Sequence, residues 1–111
     1  MGAQLVIAVY RPKEGGEERL RELLAVHVPA LRKLGLATDR PVVLMKTIDG
    51  SAYLETFEWA TAEAAQAAHE NPEVQAIWGP MMEVADFPSL GELEESKTRF
   101  PHFMPVDGLV V

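Results

Sequence analysis

The chain predicts an α+β protein with an antiparallel sheet, on three observations. Two stretches carry apolar residues three and four positions apart, which is typical of amphipathic helices. Between them lie two short strand-like stretches joined by Asp49-Gly50, a dipeptide favoured in tight hairpins. The 111 residues, 48% of them hydrophobic, suit one globular domain. Helices combined with hairpin-connected strands therefore indicate the α+β class.

The first predicted strand covers residues 4–10, and the first predicted helix covers residues 17–34. The strand is apolar at nearly every position, so both of its faces are predicted to be buried. Gly35 suits the end of the helix, because glycine readily adopts the left-handed conformation needed there. The apolar stripe of the helix consists of Leu20, Leu23, Leu24, His27, Leu31 and Leu34.

The second and third predicted strands, residues 40–48 and 52–59, form the hairpin. Successive side chains of a strand point to opposite faces, so the third strand has two distinct sides. One side carries Leu54, Thr56 and Glu58. The other side carries Tyr53, Glu55, Phe57 and Trp59.

A second helical region and a fourth strand complete the predicted core. Thr61 is predicted to cap a helix that runs to Glu70. Asn71 and Pro72 are predicted to restart the helix, with Asn as the cap and Pro at the first helical position. The fourth strand is predicted around residues 86–93.

The order β-α-β-β-α-β matches the ferredoxin-like plan, with a four-stranded antiparallel sheet in a domain of residues 1–95. Both helices would cover one face of the sheet, and the opposite face is still largely apolar. Such a face would be exposed in a monomer, so we expect two sheets to pack together in a homodimer with a barrel-like interior. Residues 96–111 form an extension that is expected to pack on the domain or on the partner subunit. Its apolar side chains are Phe100, Phe103 and Met104.

The composition argues against several kinds of partner. The net charge is −7 and the ten Lys and Arg residues are scattered, so neither nucleic acid nor an anionic membrane surface is an expected partner. No apolar run approaches the roughly 18 residues of a membrane span, and no secretory signal is evident. We therefore expect a cytoplasmic protein. With no Cys and three widely separated His residues, the sequence predicts neither a metal site nor a cofactor.

The stretch from Tyr53 to Trp78 resembles the dimeric α+β barrel superfamily. The strongest likeness lies in Glu58-Trp59 and in Ala-His-Glu-Asn-Pro-Glu-Val at residues 68–74. It extends over residues 4–93 and is most similar to small stand-alone members near the antibiotic-biosynthesis monooxygenase domains. The resemblance implies a homodimer and leaves the chemistry open, because the superfamily holds cofactor-free oxygenases of polycyclic phenols, haem-degrading enzymes and muconolactone-type isomerases. Haem-degrading members place an Asn on an early strand, whereas this chain has Asn only at position 71.

Three side chains are candidates for catalysis. His27 lies on the helix stripe where Leu would be ordinary, and histidine suits proton abstraction near neutral pH. The alternative is a core His whose ring nitrogens are satisfied by neighbouring groups. Glu55 needs a partner if it is buried, and Lys46 or His27 would supply one; otherwise it forms an ion pair at a sheet edge or dimer seam. Tyr53 would donate a hydrogen bond to a ligand oxygen, or it simply packs in the sheet.

Four further side chains are candidates for ligand binding. Trp59 and Trp78 would form aromatic walls for a flat, apolar ligand, or they anchor the core. His69 would contact the ligand, although its place near a helix C-terminus is also favoured by the helix dipole alone. Met82 would fill irregular space beside a ligand or in the core.

These residues support three functions. The first is a cofactor-independent oxygenase-like or isomerase-like enzyme acting on an apolar aromatic or polyketide-like substrate. His27 would be its general base, with Tyr53 and Glu55 orienting the ligand. The second is a non-catalytic dimeric module that binds a small molecule or assists a neighbouring enzyme. The third is a haem-binding protein with His27 or His69 as the axial ligand.

Overall fold

Within residues 2–109, which the computed structural model describes, a five-stranded antiparallel sheet forms one layer and three α-helices form the other. Met1, Val110 and Val111, at the ends of the predicted domain and extension, lie outside the described residues. The strands are β1 (Gln4–Pro12), β2 (Val43–Thr47), β3 (Tyr53–Trp59), β4 (Ala85–Asp86) and β5 (Phe103–Pro105). The helices are α1 (Glu17–Lys33), α2 (Ala64–His69) and α3 (Pro72–Val84).

The sheet order is β4-β1-β3-β2-β5, which confirms the α+β class and the antiparallel sheet. Among the described residues the sheet has five strands instead of the predicted four. The additional strand comes from the extension, because β5 pairs with the edge of β2 that the hairpin leaves open. Phe103 of β5 is half-buried, whereas Phe100 is 77% exposed.

The predicted fourth strand over residues 86–93 is wrong for most of its length. β4 contains two residues, and the chain then forms 3₁₀ turns at Leu90–Glu92 and Glu94–Lys97. Pro88 accounts for the early end of the strand, because proline has no N–H to donate to a neighbouring strand. The apolar side chains that suggested a strand pack on the sheet without joining it; Leu93, for example, is buried against the sheet.

The side chains of the sheet divide into two faces. We call the face that carries Tyr53, Glu55, Phe57 and Trp59 the inner face; α1 and α3 pack on it. The outer face carries Leu54, Thr56 and Glu58. The strand register adds alternate residues of β1 to each face, because Ala8 lies opposite Glu55 and Ile7 lies opposite Thr56. Leu93 and Phe103 cover the outer face beside Leu54 and Val9.

The helix termini confirm two of the predicted caps and correct a third. Gly35 follows α1 with a φ of 76°, the left-handed conformation that favours glycine. The Asn71 side chain accepts hydrogen bonds from the N–H groups of Glu73 and Val74, so it caps α3 as predicted. Thr61 is not a cap: α2 starts at Ala64, and among residues 2–109 no side chain caps its N-terminus.

Asn71→Ala is expected to lower the free energy of unfolding by about 1 kcal/mol, because two N–H groups at the start of α3 lose their acceptor. Urea denaturation measures the change. Thr61→Ala is the matched control, since Thr61 precedes a helix without capping it, and it should leave stability nearly unchanged. Equal losses in the two variants would contradict the assignment of Asn71 as the cap.

Candidate functional site

A buried carboxylate and a buried imidazole meet between α1 and the inner face of the sheet. The apolar stripe of α1 points His27 at the sheet, and strand alternation points Glu55 at the helix. His27 Nδ1 lies 3.0 Å from Oε1 and 3.3 Å from Oε2 of Glu55. His27 is 3% exposed and Glu55 is 0% exposed. The sequence offers two partners for a buried Glu55, Lys46 and His27. The structure pairs Glu55 with His27, whereas Lys46 contacts Glu17.

Trp78 fixes the tautomer of the neutral His27 ring. The indole Nε1–H of Trp78 donates to His27 Nε2 over 2.8 Å. An indole nitrogen is a donor only, so Nε2 must offer its lone pair and carry no proton. The proton of the neutral ring therefore sits on Nδ1, which donates it to Glu55. In this state both ring nitrogens of His27 are engaged.

Tyr10 completes the buried network from the neighbouring strand. Its hydroxyl donates to Glu55 Oε1 over 2.7 Å. Burial, followed by the charge and the hydrogen bond of Glu55, raises the pKa of Tyr10 well above its usual value. The phenol thus stays protonated and remains a donor. Glu55 accepts from Tyr10 and His27 together, which offsets the cost of burying its carboxylate.

A cavity of about 350 Å³ lies beside β1, and we call it the edge cavity. Most of its surface is apolar, and aromatic rings form much of its wall. The rings of Phe57 and Trp59 meet edge to face with centroids 4.9 Å apart, as do those of His69 and Trp78. The lining residues are Val6, Ile7, Ala8, Val9, Tyr10, His27, Phe57, Trp59, His69, Trp78, Met81, Phe87, Pro88, Ser89 and Leu90.

Four of the predicted site residues line the edge cavity, and a fifth supports it. The four are His27, Trp59, His69 and Trp78. Glu55 does not line it but holds the imidazole that does. His27, Trp78 and Tyr10 therefore bring the hydrogen-bond network to the wall of the cavity, whereas the carboxylate of Glu55 stays buried behind them.

Tyr53 and Met82 do not line the edge cavity. The Tyr53 hydroxyl donates to Glu17 over 2.6 Å and accepts from Arg21 over 3.1 Å. Lys46 joins the same group, since it lies opposite Tyr53 in the β2–β3 register and bonds Glu17 over 2.6 Å. The hydrogen bonds from Lys46 and then Tyr53 lower the pKa of Glu17. Met82 is 63% exposed, because it lies on the solvent side of α3.

Tyr10 and the segment 87–90 are parts of the site that sequence reasoning missed. Tyr10 lies at the end of the first predicted strand, and its bond to Glu55 joins residues 45 positions apart. Strand alternation could have identified it: Tyr10 lies two residues after Ala8, so both side chains point to the same face of β1. The β1–β3 register sets that face beside Glu55. The segment 87–90 was assigned to a strand, although Pro88 in the sequence argued against one.

Neither models of known protein families nor curated protein sequences match this chain. Over residues 2–109, no helix combines the length and apolarity needed to cross a membrane. The described part of the chain also holds no group of three or more His, Asp or Glu residues that could bind a metal ion.

Proposed function

We propose that this protein binds a small, flat, apolar molecule in the edge cavity and removes a proton from it with His27. The observation that carries the proposal is the buried pair of His27 and Glu55 at an aromatic-walled cavity. An imidazole held by a carboxylate suits a general base, because the carboxylate orients the ring and stabilises the charge formed on it. Proton removal of this kind is a step of cofactor-independent enzymes of the oxygenase or isomerase type.

In this mechanism the ligand first displaces the Trp78 indole from His27. The Nε2 lone pair then accepts a proton from a phenolic O–H or an acidic C–H of the ligand, while Nδ1–H stays bound to Glu55. The carboxylate of Glu55 offsets the positive charge of the resulting imidazolium, and Tyr10 keeps that carboxylate in place. The freed indole N–H becomes a donor for the anionic oxygen of the ligand.

We also propose a ferredoxin-like fold, extended by β5, in which two copies pair through their outer faces. The order β4-β1-β3-β2 within the larger sheet supports the fold assignment. Leu5, Ile7 and Val43 support the pairing, because they are 65%, 51% and 52% exposed and form an apolar patch on the outer face. A twofold axis brings the same patch from each copy together and removes both from water.

Absorption spectroscopy with 7-hydroxycoumarin tests the proton acceptor. This flat two-ring phenol absorbs at longer wavelength as its anion, and the measurement uses a pH at which the free probe is neutral. The wild-type protein is expected to bind the probe and to produce the anion band. His27→Gln is expected to bind the probe without the band, because Gln can replace both hydrogen bonds of His27 but is not basic.

His69→Gln is the matched control, since His69 also lines the edge cavity but pairs with no carboxylate of the described residues. It should keep the anion band of the wild type. A band that persists in His27→Gln would eliminate His27 as the proton acceptor. Failure of the wild type to bind 7-hydroxycoumarin at all would overturn the proposed ligand class.

The hydrogen bond from Trp78 to Nε2 favours a second candidate, a non-catalytic module that binds a small molecule. With both ring nitrogens engaged, His27 needs no chemical role to be stable in the core. Binding of 7-hydroxycoumarin by the wild type without an anion band would support this candidate over the enzyme.

A further inference from the structure

The edge cavity is bounded by the edge of β1 as well as by side chains. Five consecutive residues of this strand, 6–10, line it. Side chains of a strand alternate between two faces, so consecutive residues reach one cavity only along the strand edge. The backbone of β1 therefore forms part of the cavity wall.

The direction of the backbone groups follows from one hydrogen bond. Lys13 N–H donates to the carbonyl of Val84, the residue just before β4. In an antiparallel ladder the N–H and C=O of one residue point to the same neighbour, and the direction alternates along the strand. Counting back by twos, Arg11, Val9 and Ile7 direct both groups towards the β4 side, away from β3.

Pro88 leaves these groups without a strand partner. Arg11 lies opposite Asp86, so the same register would set Val9 opposite Pro88. Proline has no N–H for the carbonyl of Val9, and the chain leaves the sheet after Asp86. Within residues 2–109, no strand pairs with Ile7 or Val9 on this side. The edge cavity occupies the space between β1 and the segment 88–90.

We propose that the natural ligand is a planar molecule with a lactam-type edge, a donor N–H beside an acceptor carbonyl, which pairs with the backbone of Ile7. This inference rests on the proposed function and specifies the ligand of the same cavity. A strand-edge residue offers one N–H and one C=O side by side, which is the complement of such an edge. A ligand seated between the apolar walls shields the groups of Ile7 from water, so an edge that pairs with them is preferred over one that leaves them unpaired.

The walls favour a ring compound over a peptide strand. The rings of Phe57, Trp78 and Phe87 line the cavity beside the β1 edge, and the ring of Phe87 lies 5.4 Å from that of Tyr10. Aromatic faces suit a flat ring system. The segment 88–90 also borders the cavity, where an added strand would have to run.

Isothermal titration calorimetry with two probes tests the inference. The first is 2-quinolinone, which has the lactam edge, and the second is 1-methyl-2-quinolinone, in which a methyl group replaces the N–H hydrogen. The wild-type protein is expected to bind 2-quinolinone at least about tenfold more tightly, because the methylated probe leaves a backbone carbonyl unpaired.

Ile7→Pro tests the position of the pairing. Proline removes the N–H of residue 7 that points away from β3, so the β1–β3 ladder keeps its bonds. The ring Cδ of proline takes the place of that hydrogen and collides with the ligand carbonyl, so the lactam edge cannot approach the carbonyl of residue 7. The variant is therefore expected to lose the preference for 2-quinolinone. Leu5→Pro is the matched control: it removes an N–H of the same direction and an exposed apolar side chain, but Leu5 does not line the edge cavity. It should keep the preference, and thermal unfolding verifies that both variants are folded.

The outcomes separate this inference from the proposed function. If 7-hydroxycoumarin binds while the two quinolinones bind equally, the proposed function stands and the pairing with Ile7 is overturned. A preference that survives in Ile7→Pro, or that Leu5→Pro also loses, overturns the pairing as well. If a capped extended tripeptide binds and 2-quinolinone does not, the edge accepts a strand and the ring ligand is wrong.

Discussion

Glu55→Ala is expected to lower the free energy of unfolding by about 3–5 kcal/mol, measured by urea denaturation. The substitution removes the acceptor of two buried donors, Tyr10 O–H and His27 Nδ1–H. Both donors lie in the protein interior, since Tyr10, His27 and Glu55 are each less than 5% exposed. Each donor left without a partner costs about 1–3 kcal/mol, and the removed side chain also leaves a cavity.

Two controls identify the cause of this loss. Glu55→Gln keeps the size of the side chain and an acceptor oxygen, so it should cost clearly less than Glu55→Ala. Glu58→Ala removes a carboxylate of the same strand from the outer face, where its partners are Arg40 and Thr38. A pair that is this close to solvent contributes about 1 kcal/mol or less. If Glu55→Ala costs no more than Glu58→Ala, the buried network is not a main source of stability.

The stability result also bears on function. A network that only stabilises the core should tolerate Glu55→Gln with unchanged ligand behaviour. In the proposed mechanism Glu55 stabilises the imidazolium of His27, so the neutral amide should weaken the anion band of bound 7-hydroxycoumarin even where the protein stays folded. Glu55→Gln therefore distinguishes the two roles of the network. A purely stabilising role predicts an unchanged anion band, and a role in proton transfer predicts a weaker one.

The sequence predicted the parts of the site that depend on local periodicity. The alternation of residues 53–59 identified Glu55 as an inner-face carboxylate, and the stripe of α1 identified His27 as its unusual polar member. Both assignments follow from one repeat length each, 2 residues for a strand and about 3.6 for a helix. The same periodicity brought Trp59 and Trp78 to the cavity wall.

The remainder depends on register and on distant contacts, which no local pattern encodes. Tyr53 shares a face with Glu55, but its hydroxyl extends to Glu17 and Arg21 at the end of the sheet. Tyr10 reaches Glu55 only through the β1–β3 register. The apolar residues of segment 86–93 suggested a strand, whereas the missing N–H of one proline ended it after Asp86.

Val43→Asp is expected to convert the proposed homodimer into a monomer. Val43 lies in the exposed patch of the outer face, on the opposite side of Thr56 from Ile7. In a twofold pair the substitution adds a carboxylate to each copy within an apolar contact, where burying charge and repulsion between like charges cost several kcal/mol. The dissociation constant should rise by roughly 100-fold or more, since each 1.4 kcal/mol is about tenfold.

Sedimentation equilibrium measures this change as a shift from twice the mass of one chain, 12.2 kDa, to that of a single chain. Val26→Asp is the matched control, because Val26 is 49% exposed against 52% for Val43 but lies on α1, in the helix layer. Val26→Asp introduces the same charge at nearly the same exposure, and the protein should keep the mass of the dimer. A wild-type chain that sediments as a monomer would overturn the pairing itself, and dissociation by both variants would show that charge rather than the outer face is responsible. Only loss of the dimer in Val43→Asp alone assigns the contact to the outer face of the sheet.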